Sequence, residues 1–366
     1  MRFVLVFAVL FAAHSSGGET MVNGRRSLVL EGETAQVVID IAGGSIVDFH
    51  LLSQGLNPLT WDSGSEGAAP RPMGHFLCLD RWGAPSKAEA ERGMPFHGEA
   101  SNVEWQVDQA PTVEDGEVRT IMSAVLPMAG LSLKRWVHFA QDRALLVVRE
   151  QLTNDNDLGR IYNMVQHPSI APPFLDEGTL VDANARQGFM QASPLPNPEV
   201  PAVVWPQALK DTGESVNMRH LTDDMLPNVV SYVIDEKYGW TTAANPAQGL
   251  LIGYLWPTED YPWFDAWRHV RDGKPVARGL EFGTTGLHQP FDVLVEKGRI
   301  FDRPLFSYLD AGASATRSFA NFLFEIPADY RGVGRIVLAD GALVLVERGG
   351  GEIRRLHMKV GDLFAK

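Results

Sequence analysis

One cysteine, Cys78, is all the sulfhydryl chemistry that 366 residues offer. No intramolecular disulfide can form and no thiolate metal cluster is possible, and the setting of Cys78 reads as that of a small buried hydrophobe rather than a catalytic thiol. Cations are also scarce, with 32 Lys and Arg against 45 Asp and Glu, a net charge of −13 and a pI near 5.2. Phosphate backbones are bound by clustered Lys and Arg, so a nucleic-acid partner is excluded and a neutral or cationic small ligand fits better. No stretch of about 18 apolar residues exists to span a bilayer. Amphipathic helices of three turns are missing too; the nearest candidates, Lys87 to Arg92 and Ala208 to Leu209, are short. There is no G-x-S-x-G, no P-loop and no G-x-G-x-x-G after a strand, which removes acyl transfer by a serine elbow and nucleotide binding.

The N-terminus carries Arg2, an apolar run from Phe3 to Ala13 and a small-x-small triplet at Ala13-His14-Ser15. This reads as a signal peptide over residues 1–19, placing the remaining residues 20–366 in a secreted or periplasmic compartment as a single domain. The competing readings are a buried first strand or a true start at Met21.

What is abundant is turn-forming residues, 35 Gly and 23 Pro. Between them apolar residues alternate or come in short runs, the mark of strands. "SLVLEGETAQVVIDIAGGSIVDFHLL" gives three strands split at Glu31-Gly32-Glu33 and Gly43-Gly44, and "LSLKRWVHFAQDRALLVVREQLTN" gives a hairpin turning at Gln141-Asp142-Arg143. "NVVSYVID", "GLLIGYLW", "FDVLVE", "ANFLFEI", "RIVLAD" and "ALVLVE" have the same character. The expected class is all-β, mainly antiparallel, with more than about ten strands folded into two large packed layers and few short helices. The Pro-rich section from Pro168 to Pro206 reads as long loops over one face, because proline cannot donate to a central ladder.

Three titratable groups stand beside glycine or proline: His97 in "GMPFHGEAS", His167 in "VQHPSI" and Glu281 in "RGLEFGTT". Two imidazoles and a carboxylate suit proton transfer near neutral pH, if the fold brings them together. Each taken alone is equally a satisfied or surface residue. Glu99, two residues after His97, would share its strand face and with His167 could complete a metal set, but no H-x-H or H-E-x-x-H pattern supports one; otherwise it is a solvated charge. Trp256, Trp263 and Trp267 crowd "YLWPTEDYPWFDAWRHVRDG", where rings suit either a core or the apolar face of a sugar.

Taken in order, "GGSIVDFHL", the "HG" of "FHGEAS", "LTNDND…YNMVQHPSIAPPFL", "RGLEFGTT" and "YLDAGASATRSFANFLFEI" resemble the aldose 1-epimerase (galactose mutarotase) family of the β-supersandwich superfamily. The likeness runs over roughly residues 30 to 327. It implies a galactose mutarotase-like supersandwich with a cleft for a carbohydrate, free or part of a glycan, and an isomerase that needs neither cofactor nor metal. His167 would be the acid that protonates the ring oxygen, Glu281 the base for the anomeric hydroxyl, and His97 a hydrogen-bond donor to the sugar. The family's arginine would be Arg81 in "CLDRWG", with Arg92 the rival; its substrate-binding aspartate would be Asp265, with Trp267 beside it. Ser169-Ile170 replaces the family's aromatic after "HP", and "LEFGTT" departs from its glutamate motif. Alternative readings are a non-catalytic carbohydrate-binding protein of the same fold, a polysaccharide lyase or glycoside hydrolase, and a metal-dependent enzyme.

Overall fold

A computed structural model describes residues 17–64, 67–220, 226–349 and 353–364. The expected leader lies outside them as far as residue 16; Gly17 to Glu19 belong to the strand Gly17–Val22, which pairs with Arg25–Glu31. Strands dominate. A twelve-stranded antiparallel sheet runs in the order Gly17–Val22, Arg25–Glu31, Ala35–Asp40, Ile46–Leu51, His75–Asp80, Arg160–Ile170, Lys274–Gly283, Trp263–Arg271, Val229–Ile234, Ala185–Met190, Val203–Val204, with Ser307–Leu309 added to Arg160–Ile170. An eight-stranded antiparallel sheet runs Leu180–Ala183, Tyr238–Asn245, Leu250–Pro257, Ser314–Glu325, Leu145–Asn154, Leu131–Ala140, Glu117–Leu126, Gln106–Glu114.

Alternation decides how they stack. Leu28, Leu30, Val37, Ile39, Leu77, Leu79 and Met164 point from the large sheet into one core with Val118, Leu133, Leu146, Val148, Ile252 and Leu323 from the smaller. A third, three-stranded sheet (Val333–Ala339, Ala342–Glu347, Arg355–Lys359) covers part of the smaller sheet's outer face, laying Leu343, Leu345 and Met358 on Leu145, Trp240, Leu251 and Phe322. The outer face of the large sheet is left to carry a cluster of titratable and aromatic side chains. Among the described residues no helix is long and apolar enough to cross a membrane.

The turns at Glu31-Gly32-Glu33 and Gln141-Asp142-Arg143 fall where glycine and polar residues interrupt the alternation. Three local expectations are overturned. "FDVLVE" is the helix Phe291–Lys297, entered through Pro290 and closed by Gly298 at φ +71. Apolar residues at 291, 294 and 295 satisfy a helical face while those at 291, 293 and 295 satisfy an alternating one, and the proline and glycine at the ends decide it. Ala208-Leu209 lies in the strand Gln207–Leu209, hairpinned to Ser215–Asn217.

The proline-rich section, thirdly, is not all loop. It contributes Leu180–Ala183, Ala185–Met190 and Val203–Val204, and Pro168 itself sits inside the central strand Arg160–Ile170. The neighbouring Ser169 N–H bonds the Gly74 carbonyl, so on that side Pro168 occupies a position that donates no ladder bond. Its missing N–H turns toward Lys274–Gly283, where the pairing lapses between Gln166↔Phe282 and Ser169↔Gly279 without changing register.

Candidate active site

That lapse marks the centre of the cluster. The register of Gln166 with Phe282 sets His167 directly opposite Glu281, and the flanking ladders extend the row: Phe76 opposite His167, Asp265 opposite Glu281, Ser231 opposite Asp265. Residues opposite one another in a sheet share a face, so Phe76, His167, Glu281, Asp265 and Ser231 form one rank across five strands. Their immediate neighbours, Leu77, Gln166 and Phe282, point the other way into the sandwich.

His167 Nε2 lies 3.2 Å from Glu281 Oε1, and both side chains are almost wholly buried. The indole N–H of Trp82 donates to Glu281 Oε2 at 2.8 Å. Gly279, two residues before Glu281, makes the space: a Cβ there would stand 2.7 Å from Glu281 Oε1 and 3.0 Å from Trp267 Cβ. Burial pushes the Glu281 carboxyl well above the usual carboxylate range, the neighbouring Asp265 adds to this, and the Trp82 N–H opposes it. Burial holds His167 well below the ordinary histidine value, with the charges of His288 and His75 acting in the same direction. The resting pair is therefore neutral, its proton on Glu281 and the Nε2 lone pair of His167 accepting it. The Nδ1–H then donates to Ser169 Oγ at 3.0 Å, and Ser169 donates onward to the His167 carbonyl at 3.4 Å.

His97 reaches the cluster from the loop after the short helix Lys87–Glu91. Its backbone takes the left-handed conformation, φ +66, which costs a non-glycine residue roughly 1–2 kcal/mol. Two bonds to Gly83 hold it there: His97 N–H to the Gly83 carbonyl at 2.9 Å, and Gly83 N–H to His97 Nδ1 at 3.0 Å. Because Nδ1 accepts, the neutral ring carries its proton on Nε2 and presents a donor. Its ring centroid is 5.5 Å from that of His167, and burial, then His167 and His288, hold its pKa well below the ordinary value.

The walls are aromatic. Phe76 stacks on His167 at 4.1 Å, Trp267 meets His167 edge-on at 5.6 Å, and Trp61 packs against both Phe76 and Trp267. His288 completes the other side, 5.5 Å from His97 and 4.7 Å from Trp82, with its pKa lowered to about 4 by burial. Gly83 leaves room for that ring, since a Cβ would come within 2.8 Å of it.

The fold thus gathers His97, His167, Glu281 and Trp267, and adds Trp61, Phe76, Trp82 and His288, which sequence reasoning did not single out. Asp265 joins the row but is fully buried, its carboxyl raised well above the usual range by burial and lowered slightly by the Ser231 hydroxyl. Arg81 is committed elsewhere: its guanidinium donates to Asp80 at 2.6 and 2.9 Å and to Glu89 at 2.7 and 2.9 Å. Arg92 caps the Lys87–Glu91 helix at the surface. Glu99 is not a solvated charge but buried, its carboxylate accepting the Met128 and Ala129 N–H groups at 3.2 and 2.8 Å. Trp256 and Trp263 are core residues, and Cys78 is a free, buried thiol below the cluster.

No protein-family profile matches the sequence, and no curated protein matches it either. The fold is nevertheless shared with solved structures. A galactose mutarotase related enzyme from Lactobacillus acidophilus superposes with a TM-score of 0.59 at 14% identity, covering 82% of this chain and 98% of that one. A galactose mutarotase-like protein from Clostridium acetobutylicum gives 0.58 at 11%, covering 84% and 98%, and one from Lactobacillus casei 0.56 at 15%, covering 81% and 100%. At these identities the likeness establishes the architecture: the fold is galactose mutarotase-like, as the ordered motifs implied.

Proposed function

We propose that the protein is an aldose 1-epimerase-like isomerase that interconverts the anomers of a sugar, with His167 and Glu281 working as one proton-exchanging pair. The observation that carries this is their 3.2 Å contact, buried and packed among the rings of Phe76, Trp267 and His97. Opening a hemiacetal ring requires one proton taken from the anomeric hydroxyl and one given to the ring oxygen on the same carbon. A single acid or base does half of that.

The pair does both, and the bookkeeping closes. The proton on Glu281 crosses to His167, leaving a carboxylate that the Trp82 N–H stabilises. The imidazolium protonates the ring oxygen while the carboxylate takes the anomeric proton; the C–O ring bond breaks and the carbonyl forms. His167 is then neutral and Glu281 protonated, as at the start. The aldehyde carbon rotates, and the reverse transfers close the ring on its other face. Acid and base contributions of this kind are each worth on the order of 10² to 10⁴ in rate. His97 Nε2–H and the aromatic walls would hold the sugar, the rings against its C–H faces.

A two-carboxylate hydrolase finds less support, because it flanks the scissile bond with two acids, whereas Asp265, the acid nearest Glu281, stands beside it in the same rank rather than across from it. Non-catalytic sugar binding is favoured by one observation, the commitment of Arg81 to Asp80 and Glu89. Exchange NMR on freshly dissolved aldoses separates the readings. Faster anomer exchange that is lost in His167→Ala and Glu281→Gln supports the isomerase; sugar binding with no acceleration for any aldose overturns it.

A further inference from the structure

The side chains of His167 and Glu281 are 6% and 2% exposed, so no ligand reaches their facing atoms while the cover over them is in place. Part of that cover comes from one segment. The chain leaves the large sheet after His75–Asp80, and the segment it forms is closed at the neck by two bonds: His97 N–H to the Gly83 carbonyl at 2.9 Å, and Gly83 N–H to His97 Nδ1 at 3.0 Å. A surface loop of this length with its ends together is an Ω-loop. It returns two rings to the cluster: His97, 5.5 Å from His167, and Phe96, 4.1 Å from His97, 5.4 Å from His288 and 52% exposed.

The loop is lightly attached to the rest of the protein. Within residues 84–95 only Met94 is buried, and the helix Lys87–Glu91 buries none of its residues. Among the described residues, the hydrogen bonds of 84–95 stay inside the loop or reach Gly98 at its foot, except those to Arg81. Arg81, almost fully buried, joins the two sides. It grips Asp80 at the end of the sheet strand at 2.6 and 2.9 Å, and Glu89 on the loop helix at 2.7 and 2.9 Å, while Arg160 holds Asp80 in place. Both feet of the loop are glycines in the left-handed region, Gly83 at φ +99 and Gly98 at φ +76.

We infer that residues 83–97 are a lid that lifts to admit a ligand to His167 and Glu281, and that the Arg81–Glu89 pair is its latch. The inference rests on the isomerase reading only for what enters. Lifting about Gly83 and Gly98 withdraws Phe96 and His97 together and uncovers His167. Trp82, on the sheet side of the neck, keeps its N–H on Glu281 Oε2. Closing again over a bound molecule brings the His97 Nε2–H back as a donor. The two carboxylates on Arg81 suit these parts: Asp80 is wholly buried and stays, whereas Glu89 is 38% exposed and finds water when it lets go. Arg81 holds the Glu89 carboxyl down to about 2 against the effect of burial, and Ser86 helps, so the latch is charged through the neutral range.

Diethyl pyrocarbonate labelling, mapped by mass spectrometry, reads the exposure of each imidazole. His75, buried on the inner side of the same sheet, is the control for general loosening. In Glu89→Gln the labelling of His97 and His167 is expected to quicken at least about fivefold with His75 unchanged, the shift that losing one partly exposed ion pair permits. Unchanged labelling of His167 overturns the lid. If His75 quickens too, the parent protein decides by hydrogen exchange: the amides of Gly83 and His97, which close the neck, should exchange faster than those of the central strand Arg160–Ile170, and equal rates overturn the lid. Labelling needs no turnover, so the two readings fail separately. If His167 labelling follows the latch but no aldose exchanges faster, the lid stands and the isomerase falls; if exchange is accelerated but His167 labelling ignores the latch, the isomerase stands and the lid falls.

Discussion

Gln166 and His167 are adjacent residues of one strand, and the environments on their two sides carry similar groups to different ends. Toward the second sheet, Gln166 donates to Glu150 at 2.6 Å and accepts from His75 Nε2 at 3.0 Å, with the Tyr261 hydroxyl 3.1 Å away. Glu150 also accepts from Arg135 at 2.7 Å, and that guanidinium lies over the Trp105 ring at 4.2 Å. Toward the cleft, Glu281 is as deeply buried as Glu150 but has no cation: its partners are one indole N–H and one neutral imidazole, and its nearest charge neighbour is another acid, Asp265. Burial is common to both. What differs is the partner: a guanidinium on the neighbouring strand of the same sheet fixes the carboxylate's charge, whereas an imidazole with no cation nearby leaves a proton that can move.

The contrast can be broken from either side. Glu281→Gln is expected to lower anomer exchange by about 10² to 10⁴ while leaving the melting temperature near that of the parent, measured by polarimetry and calorimetry on the same sample; a lost fold would make Glu281 structural instead. Glu150→Leu strands Arg135 without its counter-charge and should cost about 3–5 kcal/mol in denaturant titration. What remains folded should keep whatever anomer exchange the parent shows, and an unchanged stability would show that this cross-strand pair is not structural. Gly279→Ala moves only the cleft side: a methyl 2.7 Å from Glu281 Oε1 must displace the carboxylate, reducing turnover about tenfold for roughly 1–3 kcal/mol of overpacking.

The remaining expectation concerns the pH dependence. His75 is held neutral by burial, with its pKa lowered from 6.5 to about 3. Between those values the unfolded chain binds a proton that the folded chain refuses, so this contribution to stability is intact above pH 6.5 and is lost as pH falls, by up to about 1.36 kcal/mol per pH unit. His75→Gln should flatten that acid limb in melts across pH 4 to 7; an unaltered slope would place the proton uptake elsewhere. Turnover, by contrast, should be level through neutral pH, because the same directions that keep His167 unprotonated keep Glu281 protonated.

Much of the architecture was legible because alternation and turn residues are local signals. The three opening strands and the Gln141-Asp142-Arg143 hairpin declare themselves residue by residue. Motif order nominated His97, His167 and Glu281, but their meeting depends on strand register, which no single motif contains. Trp61, Trp82 and His288 were missed because they enter from outside the strands that hold the pair, in stretches with no periodicity of their own. Arg81 misled for a different reason: the sequence shows a charge near the right place but not that Asp80 and Glu89 claim it first. Pro168 misled because a proline's effect on a sheet depends on which neighbour its nitrogen faces, and that is settled only by pairing.

The row from Phe76 to Ser231 also sets what kinds of change this protein can survive. Five side chains placed by pairing keep their rank under a single substitution, but not under a change in chain length. One residue inserted upstream in Arg160–Ile170 would turn His167 toward the sandwich and Gln166 toward the outer face, exchanging the two environments at a stroke. Length variation in descendants of this chain should therefore gather in the connections around the cluster, where it would reshape the walls while His167 and Glu281 stay opposed.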